Sequence, residues 1–177
     1  VMSSGMCDRD DVSLLCDIGT NGELALWKDG KLYVTSTAAG PAFEGAGISC
    51  GCGSVYGAID SVRENEIHTI GDVKAVGVCG SGLIDAIAYF LDKEIIDETG
   101  ACDGELELRD GIALMPADVR AVQLAKGAIA AGIKSLIEVS GLTYDDVKHV
   151  YIAGGFGRHL RIDSAVRIGL LAEEFRN

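Results

Sequence analysis

What this sequence has little of narrows its reading first. Its 177 residues include two prolines and no apolar run long enough to span a bilayer. No Gly-Lys-Ser/Thr occurs, so the common strand–loop–helix phosphate loop is excluded. The six cysteines at 7, 16, 50, 52, 79 and 102 contain no Cys-x-x-Cys pair, so reduced thiols are the expectation. Basic residues are the minority. At a net charge of −12, general nucleic-acid binding is not expected, because backbone phosphates require a basic surface. The opening Val1-Met2-Ser3-Ser4-Gly5 lacks the charged and apolar blocks of a signal peptide, and a cytoplasmic chain, or a fragment of one, is expected.

What is present is 48% hydrophobic and 24% charged, with 24 glycines. That composition suits a globular chain with a real core, as one domain or two small lobes. The charge is uneven. Tyr89 to Asp110 carries eight acidic and two basic residues, whereas Arg120 to Asn177 carries eight basic and six acidic ones. The acidic stretch reads as a solvated face, with docking of a basic partner as the alternative.

Periodicity places the elements. Val12 to Cys16, Glu23 to Lys28 and Lys31 to Ser36 read as an antiparallel meander, with Asp29-Gly30 as its second turn. A short helix is expected from Pro41, and a strand pair from Ala58 to Arg63 and Glu66 to Ile70. Ser81 to Lys93 reads as a helix with Ser81 as N-cap. Asp97 to Asp110 reads as loop, and Gly111 to Leu114 as a strand. The longest helix is expected from Pro116 to Val139, with Val119, Val122, Ile129, Ile133, Leu136 and Ile137 on one face and Gly141 closing it. Thr143 to Asp146 reads as a capped short helix. His149 to Ala153 reads as a buried strand. A last helix near Asp163-Ser164 should carry Ala165, Ile168 and Leu171.

Five stretches could carry chemistry. Asp17-Ile18-Gly19-Thr20-Asn21-Gly22-Glu23 offers glycines that turn N–H groups inward, small polar side chains, and a carboxylate able to hold magnesium through water. It fits a phosphate loop and an ordinary Asn-Gly hairpin equally well. Val150 to Gly157 runs a strand into paired glycines, which suits either close approach to a ligand or simple packing. Lys126, one turn after Gln123, shares the apolar face of its helix; on its residues alone, snorkelling is the better reading. Gly77 to Gly82 opens a helix and could face an anion, though a glycine-rich helix start is favoured. Cys50-Gly51-Cys52 with Cys79 reads as structural thiols rather than a metal site. His68, His149 and His159 show no zinc spacing.

Taken in order, DIGTNGE at 17–23, STAAGPAFEGAGISCG at 36–51, GVCGSGLIDAIA at 77–88, VQLAKGAIAAGI at 122–133 and VYIAGGFGRHL at 150–160 resemble one family. This is the carboxy-terminal part of the ATP-dependent reductive activators of corrinoid proteins, within the acetate and sugar kinase/Hsp70/actin (ASKHA) superfamily. The resemblance implies an α/β, ribonuclease H-like lobe of the actin/Hsp70 type, with a mixed sheet, an amino-terminal antiparallel meander and flanking helices. It divides the chain into an extension at 1–12 and one lobe at 13–177, with a small subdomain within 55–115. It implies ATP or ADP with magnesium as cofactors. Asp17 would hold the metal through water; Gly19, Thr20, Asn21 and Gly22 would meet the phosphates. Gly154, Gly155 and Phe156 would face the adenosine and α-phosphate. Gln123 and Lys126 would wall the adenine and ribose, which reverses the snorkelling preference for Lys126.

The superfamily cleft lies between two lobes, and this chain has one Asp-x-Gly-Thr loop. The resemblance therefore implies half of a site: one lobe, separate from a partner lobe and from a 2Fe–2S ferredoxin domain. The implied function is coupling of ATP hydrolysis to electron transfer onto a cobalt(II) corrinoid protein, with no nucleic-acid or membrane partner and a homodimer left open. A small-molecule kinase lobe and a non-catalytic protein-interaction module are the alternatives.

Overall fold

The computed structural model describes residues 1–64, 66–155 and 159–176. Strand β1 (Ser13–Ile18) is the centre of the main sheet. Alternation sends Leu14, Cys16 and Ile18 into the principal core and Leu15 into a smaller cluster on the opposite face. Strand β2 (Gly22–Lys28) pairs antiparallel with β1, from Ser13 opposite Trp27 to Ile18 opposite Gly22. Asp29 (φ 49°) and Gly30 (φ 73°) then form the two-residue turn into β3 (Lys31–Thr37).

The second sheet holds β4 (Ala58–Arg63), β5 (Glu66–Thr69) and the two-residue β6 (Gly77–Val78), in the order β5-β4-β6. Asn65, within the turn expected at Glu64-Asn65, lies outside the described residues. Helix α1 (Gly80–Asp92) packs on β4 so closely that a Cβ on Gly82 would stand 2.1 Å from the Ile59 carbonyl. Cys79, not Ser81, is its N-cap. Ser81 is buried in the first turn, because the helix begins at Gly80, three residues before Leu83, the first apolar position of its stripe.

The acidic stretch read as loop contains strand β7 (Leu106–Arg109), paired with β8 (Ile112–Leu114). Only Leu106 of β7 is fully buried, so its polar residues hid the strand.

Helix α2 (Pro116–Ser140) buries the expected stripe, and Gly141 ends it at φ 69°. Asp118 closes its start, accepting from the Met115 N–H (2.8 Å) and from both the N–H and hydroxyl of Ser49 (2.8 and 3.1 Å). The helix runs along β2: Gly22 meets Ile129, while Lys28 Nζ at the far end donates to the Ser140 carbonyl (3.1 Å). The first turns of α2 therefore project past the end of the sheet where β1 finishes.

Strand β9 (His149–Ala153) lies parallel to β1 on its free side, giving the order β3-β2-β1-β9. Helix α3 (Ile162–Arg167) is shorter than expected. Ile168 and Leu171 are buried as anticipated, but Ile168 is the C-cap and Leu171 lies past Gly169 at φ 75°. Met6 and Cys7, ahead of β1, pack on the outer sheet face. Met6 is fully buried with Leu15 and Ala25, and Arg9 Nε donates to the Tyr151 hydroxyl (2.9 Å). Among the described residues no helix is long and apolar enough to cross a membrane.

Candidate functional site

Parallel pairing of Asp17 with Ala153 ends two adjacent strands at the same level. Each then enters a glycine turn, so the loop after β1 and the turn after β9 stand side by side. They touch: a Cβ on Gly154 would stand 2.2 Å from the Ile18 carbonyl oxygen.

Within the loop, the Gly19 N–H turns back onto the Asn21 carbonyl (3.0 Å). That leaves the N–H groups of Thr20 and Asn21, rather than Gly19, without a backbone partner among the described residues. The Thr20 carbonyl accepts from the Gly40 N–H (2.8 Å), and its hydroxyl donates to the Glu44 carboxylate (2.5 Å). Asp17 is exposed at the end of β1. Gly22 serves packing, since a Cβ there would meet Thr37 Oγ1 at 2.7 Å and Ile129 Cγ1 at 3.0 Å.

Glu44 is the residue that sequence reasoning missed. It ends the short 3-10 turn Pro41–Glu44, and it lines a cavity of about 230 Å³ with Cys52, Gly80 and Gly155. Its partner Thr20 is 24 residues away, so no local pattern announces the contact. A carboxylate standing alone in a glycine-rich stretch was the available signal. Gly80, in the first turn of α1, brings the second glycine motif to the same cavity.

Gln123 and Lys126 line a different cavity, also about 230 Å³, walled by Ile87, Leu91, Val119 and Val122. It shares no lining residue with the first. The Gln123 amide is already engaged, donating to the Thr99 carbonyl (2.7 Å) and accepting from Arg120 (3.3 Å). Lys126 is half-buried, and its Nζ stands where a Cβ on Gly169 would be 3.1 Å away. Phe156 lies outside the described residues.

Among the described residues no three His, Cys, Asp or Glu side chains converge on a metal position. Burial pushes the Cys16 thiol up to about 12 and the Cys50 thiol up to about 11, consistent with structural roles. Ser49 has the Gly-x-Ser-x-Gly spacing of a nucleophile elbow, but its hydroxyl is spent on Asp118 at the start of α2. A magnesium ion asks for hard oxygen donors, and the carboxylates of Asp17 and Glu44, the Thr20 hydroxyl and the Asn21 amide oxygen supply such atoms in and beside the loop. The donor set fits.

Comparison with known proteins places the chain in a family. A family model described as the C-terminal domain of RACo, the ASKHA domain, matches residues 11–177. The chain belongs to this family. Its ASKHA domain is 38% identical over 191 residues to the corrinoid activation enzyme RamQ of Eubacterium limosum, covering 89% of this chain and 32% of that protein. It is 34% identical over 188 residues to the [Co(II) methylated amine-specific corrinoid protein] reductase of Methanosarcina barkeri, covering 91% and 35%. A solved reductive activator for corrinoid, iron–sulfur protein superposes with a TM-score of 0.87 at 36% identity, over 97% of this chain and 32% of that one. The chain thus spans about a third of the length of these relatives.

Proposed function

We propose that this ASKHA domain is the nucleotide-binding lobe of a reductive activator that couples ATP hydrolysis to electron transfer onto a cobalt(II) corrinoid protein. One observation carries the reading. The ends of β1 and β9 bring the Asp17–Gly22 loop and the Gly154-Gly155 turn into contact beside an open cavity. Backbone N–H groups at such strand ends are suited to phosphate oxygens. Magnesium, when bound, would neutralise charge between the phosphates. The chain's own contribution is to hold: Thr20 and Asn21 N–H groups orient the phosphates, Asp17 keeps the metal's water shell in place, and Gly155 leaves room for close approach. Lys126 would offer its charge to the nucleoside from the second cavity. The corrinoid partner, the 2Fe–2S donor, a cytoplasmic setting and residues 13–177 as one lobe belong to the same reading.

A lone lobe of this kind supplies half of a phosphate clamp. It is expected to bind MgATP weakly and to hydrolyse it slowly. Calorimetric titration with MgATP, followed by timed phosphate release, tests this. No heat and no nucleotide-induced change in melting temperature would overturn nucleotide binding and favour a protein-interaction module. Rapid turnover by the isolated chain would overturn the half-site.

A further inference from the structure

We propose that Glu44 is a positioning residue: it fixes the Thr20 hydroxyl as an outward acceptor, so that the loop selects metal-bound polyphosphate over free polyphosphate. This rests on the nucleotide reading above. A threonine hydroxyl has one proton and two acceptor lone pairs, whereas an ionised carboxylate only accepts. The 2.5 Å contact between Thr20 Oγ1 and Glu44 Oε2 therefore points the Thr20 hydroxyl proton at Glu44. What Thr20 turns away from Glu44 is lone pairs. Phosphate oxygens are acceptors too, so a Thr20 held in this way offers them nothing. It can accept from a metal-bound water.

The surroundings keep Thr20 in that state. Its carbonyl is anchored by the Gly40 N–H (2.8 Å), one residue before the Pro41–Glu44 turn that delivers Glu44. Backbone and side chain are thus tied to the same segment, and the hydroxyl has little freedom to swing. Glu44 has the Thr20 hydroxyl rather than a cation as its partner among the described residues, so its charge also opposes a bare polyphosphate entering the cavity that it lines. A divalent cation on the phosphates removes that opposition. Glu44 and Thr20 together would read whether the metal is present, while the Thr20 and Asn21 N–H groups hold the phosphates in either case.

The test is a pair of calorimetric titrations of the chain, with MgATP and with ATP in EDTA. Wild type is expected to prefer MgATP. In Glu44→Gln the charge is lost and the side chain can present its NH₂ to Thr20 as well as its carbonyl, so the hydroxyl proton is no longer fixed inward. MgATP affinity should then fall about tenfold, the worth of one charge-assisted hydrogen bond, while affinity for free ATP holds or rises. Thr20→Val should lose the same preference, and adding Glu44→Gln to it should change MgATP affinity much less than it does in wild type. A Glu44→Gln loss that is equal for both ligands, or undiminished in the Thr20→Val background, would overturn the proposal and leave nucleotide binding standing. Wild type binding both forms equally would do the same. Wild type binding neither form would overturn this proposal and the nucleotide reading together.

Discussion

Gly154 rests against the backbone of Ile18, and a Cβ at Gly154 would stand 2.2 Å from the Ile18 carbonyl oxygen and 3.0 Å from its carbon. The contact joins the last residue of β1 to the first residue after β9. It lets the chain leave β9 across the mouth of the Asp17–Gly22 loop. The φ of 106° at Gly154 is one that L side chains rarely adopt. Space and conformation both demand glycine here.

The first prediction separates Gly154 from its neighbour. Gly154→Ala should destabilise the chain by about 3 kcal/mol, because the clash is with backbone and adds to strain at positive φ. At Gly155 a Cβ meets nothing within 4 Å among the described residues, so Gly155→Ala should change stability by less than about 0.5 kcal/mol. Gly155 lines the phosphate-loop cavity, so the same substitution should still weaken MgATP binding. Urea unfolding beside calorimetry checks both. Equal tolerance at the two positions would show that the close contact at Gly154 is not rigid.

The meander, the long helix and the strand before Gly154 were legible because each carries its own period or turn pair. Val119, Val122, Ile129 and Ile133 announce one face of a helix, and Asp29-Gly30 announces a hairpin. Strand β7 was not legible, since Glu107 and Arg109 are exposed and only Leu106 is buried. The candidate site divided in the same way. Asp17 to Gly22 could be named from local chemistry, but its nearness to Gly154 depends on parallel pairing of strands 136 residues apart at Ser13 and His149. Glu44 was invisible for the same reason. The resemblance set Gln123 and Lys126 against the adenine and ribose rather than the phosphates; they line a cavity separate from the loop's, where the Gln123 amide is tied to the Thr99 carbonyl.

The second prediction concerns two glycines on α2. A Cβ on Gly132 would stand 2.5 Å from Thr37 Cγ2 and 2.6 Å from Leu24 Cδ1, so glycine lets the helix approach β2 and β3. Gly127 faces open space. Gly132→Ala should cost about 1–3 kcal/mol through overpacking. Gly127→Ala should stabilise by about 1 kcal/mol through helix propensity. Thermal melts of both variants check this, and opposite signs are the expected result. A stabilising Gly132→Ala would mean that the helix can rise off the sheet at little cost.

The third prediction uses the thiols. Cys16 is fully buried in β1, and burial pushes its thiol up to about 12. At pH 8 it should resist alkylation in the folded chain and react fully once unfolded, because the thiolate is the nucleophile and is almost absent. Mass spectrometry after iodoacetamide, with and without urea, reads the difference. Modification of Cys16 in the folded state would show that β1 opens locally.

The fourth prediction is a pH dependence at the β4–β5 hairpin. His68 Nδ1 lies 2.5 Å from the Asp60 carboxylate, and Nε2 lies 3.4 Å from Asp72. The hydrogen bond to Asp60 raises the His68 pKa above its ordinary 6.5. The folded chain then binds this proton more tightly than the unfolded one. The resulting stabilisation is fully present below about pH 6.5 and fades as pH rises through the folded value. His68 is 41% exposed, so solvent screening keeps the effect below about 1 kcal/mol. An NMR titration of the His68 ring should place its midpoint above 6.5 in wild type and return it toward 6.5 in Asp60→Asn. A midpoint that does not move on that substitution would assign the shift to Asp72 and the remaining acidic neighbours instead.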